Sequence, residues 1–355
     1  MSRITRRTFI ETAAAAAGTS LVASAVWPLE SPVAAAGVIP TRAFGKTGVQ
    51  VSIAGLGGGG RFFEPVPTDE AGAELVRQAI DRGITFIETC ANYGPQNDGN
   101  CSERRIGLAM KTHRAKAFLE TKTDQRDYDG AMKEMERSLK LLATDRIDLM
   151  LHHNLSSAKE LDQIAGPNGA ALAFRRLVDE KIIRFHGFSC HDPKLTMEAI
   201  KRLGPDAIQA PINATRNPDF EAEVLPLTKA QGIAVVVMKA VGHGFFLKGA
   251  ADGSFDSRFK TDKNPELHRY APPAEAFAGR APAPAEFLRY AMSLPVTTVL
   301  AGMDSAATLN GLFGAASTFT PATRSEADDI RTRAQVFAGT GYWIPREGRA
   351  LGYRL

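Results

Sequence analysis

The chain has 355 residues, of which 44% are hydrophobic, and a formal net charge of +4 at neutral pH. This mild charge does not indicate nucleic acid or an anionic membrane surface as a partner. The three cysteines, Cys90, Cys101 and Cys190, form no C-x-x-C pair, which argues against an iron–sulfur cluster or a disulfide framework. A single bond between Cys90 and Cys101 stays open as an alternative to free thiols.

Residues 1–36 have the pattern of an export signal. The segment SRITRRTFI contains Arg6 and Arg7, an apolar stretch over 12–27 follows, and alanines at 34–36 offer a cleavage site. The stretch is shorter than the roughly 20 apolar residues of a spanning helix. We therefore predict a twin-arginine signal peptide, the twin-arginine export machinery as a partner, a periplasmic or otherwise exported location, and no stable membrane insertion after cleavage. The alternative is an uncleaved amphipathic N-terminus.

Residues 37–355 are predicted to form one domain, with a net charge of +3 because the leader takes away three arginines and two glutamates. A short hairpin is expected over 42–51. Strand and helix patterns then alternate with a repeat of roughly 30 residues, which predicts a parallel sheet. The eight expected strands cover 51–56, 84–88, 117–121, 147–152, 182–188, 207–212, 233–238 and 297–301. The prediction is an α/β fold, a (β/α)8 TIM barrel whose floor is plugged by an N-terminal β-hairpin.

Two helical patterns are the clearest, over 71–81 and 129–142. A polar insertion over 249–281, rich in Gly and Pro, separates the last two strands. Loops of that length are usually lids or binding loops.

Four chemically active residues lie at or just past the ends of three consecutive predicted strands: Glu88, Tyr93, Lys122 and His153. Because the carboxyl ends of barrel strands meet on one face, we expect these side chains to converge there. A buried ammonium beside a phenol should lower the pKa of Tyr93, and a carboxylate should keep Lys122 charged. The set predicts carbonyl reduction with Tyr93 as the proton donor.

The order and spacing of these residues resemble the aldo-keto reductases, nicotinamide-dependent enzymes built on the (β/α)8 barrel. The matching segments are RAFGKTGVQVSIAGLGGG, GITFIETCANYG, CSERRIGLAM, FLETK, RIDLMLHH, IIRFHGFSCH, AIQAPIN and TVLAGMDS. The resemblance implies hydride transfer between a nicotinamide cofactor and an aldehyde or ketone. It also implies Tyr93, Lys122, His153 and Glu88 as the catalytic residues.

The resemblance decides between two neighbouring histidines. Side chains of adjacent strand residues point to opposite faces, and the family's spacing from Asp148 selects His153 for the site and leaves His152 to packing. A metal hydrolase using these imidazoles with His186, His191 and Asp192 is a competing class. Strand one ends without an H-x-H motif and adjacent histidines diverge, so we expect no metal.

Cofactor contacts are also implied by the resemblance. Ser189 and Gln209 match positions that hydrogen-bond the nicotinamide carboxamide, although Cys190 replaces an asparagine often found beside the serine. Gly58 is expected near the ribose, and the loop after strand seven near the pyrophosphate. The resemblance therefore implies as cofactor-binding residues Gly58, Ser189, Gln209, Met238, Lys239, Gly244, Gly302 and Asp304.

The segment from Gly302 to Asp304 bears on cofactor choice. Many relatives place a basic residue there against the 2′-phosphate, whereas Asp304 would repel it. The resemblance implies NADP, Asp304 weakens that preference, and NAD stays open.

Glu88 is the main departure from the family, which usually has aspartate there. The extra methylene moves the carboxylate by about 1.5 Å unless the strand end or rotamer adjusts. The chain is therefore either a working variant or, as the alternative function, a catalytically weakened barrel that binds a dinucleotide or a partner protein. The substrate is not specified by the sequence, and the aromatic residues Phe62, Phe63, Phe245 and Phe246 are assigned equally to its pocket and to core packing.

Overall fold

The computed structural model describes residues 37–63, 66–94, 101–215, 219–242 and 281–335. The predicted signal peptide, Gly244, Phe245, Phe246 and nearly all of the 249–281 insertion lie outside these residues, as does the side chain of Phe63. None of the described helices is both long enough and apolar enough to cross a bilayer.

Eight parallel strands close into a barrel, which confirms the predicted (β/α)8 fold. Two further strands, β1 (Thr41–Ala43) and β2 (Gln50–Ser52), pair antiparallel in front of it. The barrel strands are β3 (Ala54–Gly57), β4 (Phe86–Glu88), β5 (Phe118–Thr123), β6 (Ile147–Leu155), β7 (Ile183–Cys190), β8 (Ala207–Pro211), β9 (Ala234–Met238) and β10 (Thr298–Gly302). The closing pair is β10 with β3, in register from Val299↔Ala54 to Gly302↔Gly57.

Helices surround the barrel and follow its strands. Their bounds are α1 (Gly60–Phe63), α2 (Asp69–Asp81), α3 (Ser102–His113), α4 (Tyr128–Leu141), α5 (Ala158–Ala165), α6 (Ala170–Asp179), α7 (Pro193–Leu203), α8 (Leu225–Gln231), α9 (Pro284–Ser293), α10 (Ala306–Ser317) and α11 (Arg324–Ala334). A 3₁₀ turn over Arg114–Lys116 and a π-helical turn over Phe220–Val224 complete them. Several begin at a side chain that accepts a backbone N–H, as Thr68 does for α2 and Asp127 for α4.

The hairpin formed by β1 and β2 seals one end of the barrel, as predicted. Phe44 at its tip is fully buried and packs on Phe118, with ring centroids 4.7 Å apart, inside an apolar cluster of barrel residues. Arg42 donates hydrogen bonds to the carbonyls of Met292, at 2.5 Å, and Val296, at 2.7 Å. The start of the fold is thereby tied to the segment that leads into β10.

Several predicted strand bounds were wrong near their ends. The strand predicted over 51–56 is interrupted at Ile53, because the Ser52 hydroxyl donates to the Ala54 carbonyl at 2.7 Å and accepts from the Thr85 amide at 2.9 Å. These bonds turn the chain from the hairpin into the barrel. At the other end, β5 and β6 are longer than predicted, so Lys122 and His153 lie inside strands and not past them.

Candidate active site

An ion pair between Lys122 and Glu88 lies in the barrel interior at the carboxyl ends of β5 and β4. Lys122 Nζ contacts Glu88 Oε1, donates to the Thr89 carbonyl at 2.8 Å and lies 3.3 Å from Glu120 Oε1. Lys122 is 1% exposed and Glu88 3%. Burial alone would lower the pKa of Lys122, but Glu88 and the neighbouring Tyr93, Glu120 and Cys90 together outweigh it and leave that pKa raised. The predicted pairing of Glu88 with Lys122 is therefore present despite the longer side chain.

Glu88 is held by more than the lysine. Its Oε2 accepts the backbone N–H of Gly58 at 2.9 Å, and its Oε1 accepts the Tyr93 hydroxyl at 3.2 Å and the Gln209 amide at 3.4 Å. These donors come from the ends of different strands or from the loop after β4. The Glu88 carboxylate therefore lies at the centre of the site. The sequence had predicted for it only a supporting role beside Lys122.

Tyr93 is not acidified in the way the sequence predicted. Its hydroxyl donates to Glu88, while Lys122 Nζ lies 5.0 Å from the centre of its ring. Burial, and next the negative charge of Glu88, raise the pKa of Tyr93 well above its ordinary value, and the opposing effect of Lys122 is smaller. The prediction that Lys122 would make the phenol more acidic overall was wrong, because burial and the charge of Glu88 together outweigh the attraction of Lys122.

His153 lies beside the phenol and is held by a carboxylate. The two rings meet edge to face, with centroids 5.8 Å apart, and His153 Nδ1 lies 2.8 Å from Asp124 Oδ1. The Asn92 amide contacts the same Asp124 carboxylate. Burial opposes ionisation of Asp124, but the hydrogen bond and charge of His153 lower its pKa. The sequence analysis missed Asp124 and Asn92, although Asp124 follows Lys122 by two residues and Asn92 precedes Tyr93.

His152 packs away from this site, as predicted. Its ring stacks on Phe174 at 3.9 Å, and burial lowers its pKa well below the ordinary value, so it is a neutral packed imidazole. His191 contacts Lys239 Nζ through Nε2 at 2.7 Å. Among the described residues, no group of three or more His, Cys, Asp or Glu side chains is placed to hold a metal ion. The side chains of all three cysteines are buried thiols.

Ser189 and Gln209 are register partners on β7 and β8, next to the ion pair. The Gln209 amide nitrogen donates to Glu88, and its buried Oε1 has no hydrogen-bond partner among the described residues. The Ser189 hydroxyl accepts the Asn154 N–H at 2.7 Å and can still donate its own hydrogen. A buried acceptor beside an available donor fits a carboxamide, so these residues fit the nicotinamide end of a dinucleotide.

Four more residues expected at the dinucleotide lie at or just past the ends of β9 and β10. Met238 ends β9, and Lys239 follows in a left-handed backbone conformation with φ 63°. Burial lowers the pKa of Lys239 to about 7. Gly302 ends β10, and the Asp304 carboxylate accepts the hydroxyls of Ser305 and Thr308 at the start of α10. The contacts of these residues with a cofactor stay predictions. Phe62, which the sequence assigned equally to the substrate pocket and to core packing, belongs to the hydrophobic core.

Gly58 offers a direct test of how tightly this site is packed. A Cβ there would lie 2.5 Å from the Glu88 carbonyl oxygen and 2.7 Å from Ser102 Oγ. We expect Gly58→Ala to lower the free energy of unfolding by about 1–3 kcal/mol, as overpacking does, and to displace the Glu88 carboxylate.

The matched control is Gly311→Ala in α10, where an added Cβ meets nothing within 4 Å. Removing a helix glycine should stabilise the protein by roughly 0.5–1 kcal/mol. Urea unfolding of both variants measures the difference. A Gly58→Ala protein as stable as the wild type would show that the site is looser than described.

Comparisons with known proteins agree with this fold. A family model for the Aldo/keto reductase family matches residues 54–332. A Glycine max protein named "Probable aldo-keto reductase 1" is 26% identical over 217 residues, which are 57% of this chain and 59% of that protein. The match thus spans less than two thirds of that relative.

Two solved structures share the fold. The holo form of aldo-keto reductase AKR11C1 from Bacillus halodurans is 23% identical, with a TM-score of 0.65, and the match covers 86% of this chain and all of that one. The thermostable aldo-keto reductase Tm1743 is 22% identical, with a TM-score of 0.59, and the match covers 82% and 99% of the two chains. Because the family model spans most of the sequence, this chain belongs to the aldo/keto reductase family.

Proposed function

We propose that the protein is an NAD(P)-dependent oxidoreductase that reduces an aldehyde or a ketone to the alcohol, reversibly. The observation that carries the proposal is the hydrogen bond of Tyr93 to the buried ion pair of Glu88 and Lys122, with the amide of Gln209 joined to the same carboxylate. When bound at Ser189 and Gln209, a reduced nicotinamide supplies the hydride. Family membership supports this chemistry.

Tyr93 supplies the proton. A raised pKa does not prevent this role, because the alkoxide that forms on hydride addition is a stronger base than a phenolate. The raised pKa keeps the Tyr93 phenol protonated over the physiological pH range, so it can donate a proton during reduction. In the reverse direction Tyr93 must act as a phenolate, which the same raised pKa disfavours. We therefore expect oxidation of the alcohol to be faster at alkaline than at neutral pH.

His153 orients the carbonyl group. Its Nδ1 is engaged by Asp124, which leaves Nε2 to face a substrate. A proton on Nε2 would let the ring donate a hydrogen bond to the carbonyl oxygen. Asp124 thus fixes the direction of the ring.

The test is a panel of aldehydes and ketones with NADPH and NADH, followed by nicotinamide absorbance. Oxidation of the cofactor that depends on the carbonyl compound supports the proposal. The second candidate is a barrel that binds a dinucleotide and has lost its chemistry, which the hydrogen bond of the Tyr93 hydroxyl to Glu88 in place of Lys122 favours. Quenching of protein fluorescence by the cofactor without turnover of any carbonyl compound would favour that candidate and sink the first.

The cofactor is NADP or NAD, and Asp304 is the residue that bears on the choice. A carboxylate near the 2′-phosphate site opposes NADP by charge repulsion. Titration of both cofactors by fluorescence quenching decides between them. A large preference for NADPH would show that this role of Asp304 is wrong.

We also propose that residues 1–36 direct export by the twin-arginine route to the periplasm or beyond. This route transports folded proteins, which suits an enzyme that must take up its dinucleotide before export. Sequencing the N-terminus of protein recovered from the exported fraction tests the proposal, and an intact Met1 would count against it.

A further inference from the structure

Glu120 is a second carboxyl group in the chamber that holds Lys122. It lies on β5, two residues before Lys122 and in register with Glu88 on β4. Its side chain is fully buried, and neither carboxyl oxygen accepts a hydrogen bond of good geometry from a described residue. Among the residues that the structure describes, the one polar contact of the Glu120 side chain is Lys122 Nζ, 3.3 Å from Oε1.

Packing does not explain a carboxyl group at this position. Two residues earlier on each strand, Phe86 and Phe118 are register partners whose rings stack 5.0 Å apart, so the chamber below Glu120 is aromatic. An apolar side chain would fill the site without the cost of burying a polar group. Since the acid serves no hydrogen bond of the fold, its place beside Lys122 indicates an electrostatic role.

The charges in the chamber do not balance. The charged or titratable groups that face Glu120 are Lys122, Glu88 and Tyr93, so one ammonium meets two carboxyl groups. Glu88 is stabilised as a carboxylate by hydrogen bonds from Gly58, Tyr93 and Gln209, whereas Glu120 has none of these donors. Glu120 is therefore the group that holds a proton. Burial, opposed in part by Lys122 and aided by Glu88, raises its pKa to about 8.

We propose that Glu120 is a positioning residue that sets how much of the Lys122 charge is available to Tyr93. As a neutral acid it leaves the ammonium to Glu88 and to the developing phenolate. As a carboxylate it competes for the ammonium and opposes negative charge on the phenol oxygen. This inference rests on the proposed function, because it concerns proton donation by Tyr93.

Transient kinetics over a range of pH tests the inference. The experiment uses the full chain and an aldehyde that the protein has been found to reduce. In the wild type, the single-turnover rate of reduction should fall roughly tenfold as the pH rises through about 8, since a charge appears close to the phenol. The Glu120→Gln variant, which has the same shape and cannot ionise, should lose this fall and match the wild type at about pH 6, within about twofold. An unchanged fall in the variant overturns the proposal.

The matched control is Glu103→Gln. Glu103 is a buried acid whose pKa burial raises to about 7, but it contacts Thr121, at 2.7 Å, outside the Lys122 chamber. This variant should keep the alkaline fall of the wild type. Loss of the fall in both variants would mean that any buried acid alters the profile, and would overturn the specific role of Glu120.

Infrared spectroscopy separates this inference from the proposed function. The wild type should show a protonated buried carboxyl band that disappears as the pH rises through about 8 and is missing from Glu120→Gln. A band that the substitution leaves unchanged contradicts the proposal, whether or not a substrate is known. A band that behaves as expected, without turnover of any carbonyl compound, supports the ionisation of Glu120 and counts against the reductase.

Discussion

Tyr93→Phe is expected to lower the rate of carbonyl reduction by about 10²–10⁴-fold, the usual contribution of a positioned general acid. The substitution removes the hydroxyl that Glu88 accepts and leaves the ring in place beside His153. Dinucleotide affinity should change little, because Ser189 and Gln209 are untouched. Single-turnover rates and fluorescence titration of the cofactor measure the two quantities separately.

Tyr290→Phe is the matched control for this substitution. Tyr290 is also buried and its hydroxyl donates to a glutamate, Glu221, at 2.6 Å, but it lies on α9 in the outer helical layer. Its loss should cost about 1–3 kcal/mol of stability and leave the rate of reduction unchanged. Retained turnover in Tyr93→Phe would refute the assigned role, and equal losses in both variants would point to a general effect on stability.

Lys122→Met is expected to lower both activity and stability. The variant leaves Glu88 and Glu120 in the barrel interior without the ammonium that both contact. Removing one member of a buried ion pair typically costs about 3–5 kcal/mol, because the remaining charge is uncompensated. The carboxyls must then be protonated in the folded state, so the loss should grow as the pH rises above their ordinary range and shrink in acid.

Urea unfolding at two pH values measures this effect, and two further variants interpret it. Lys116→Met removes an ammonium from an exposed pair with Asp81, at 2.9 Å, and should cost less than about 1 kcal/mol. Adding Glu88→Gln and Glu120→Gln to Lys122→Met should restore much of the lost stability. If Lys122→Met and Lys116→Met are equally stable at neutral pH, the buried charges are not coupled as described.

Much of the fold could be predicted because its signals are local. Alternating strands and helices specify a parallel barrel, and strand ends of one barrel share one face, which brought Glu88 and Lys122 together correctly. The predicted strand bounds were less accurate, because the break after Ser52 depends on hydrogen bonds to Thr85, which lies far along the chain.

The electrostatics of the site could not be predicted from the residue types. Whether Lys122 or Glu88 has the larger effect on the pKa of Tyr93 depends on which of them the hydroxyl contacts. Burial changes that pKa more than either residue does. Glu120 was overlooked, although the alternation of side chains along a strand places it on the face of Lys122. The pairing of Asp124 with His153 was missed for a different reason: it required β6 to continue through His153.

The bonds from Arg42 have a consequence for biosynthesis. They join the first strand of the fold to carbonyls 250 and 254 positions later, and the seam between β3 and β10 joins residues nearly as far apart. A ribosome-bound chain that has not yet released these late residues therefore cannot possess a sealed barrel. If residues 1–36 direct export of the folded protein, as proposed above, the leader would be synthesised first but could deliver a folded barrel only after β10 had left the ribosome.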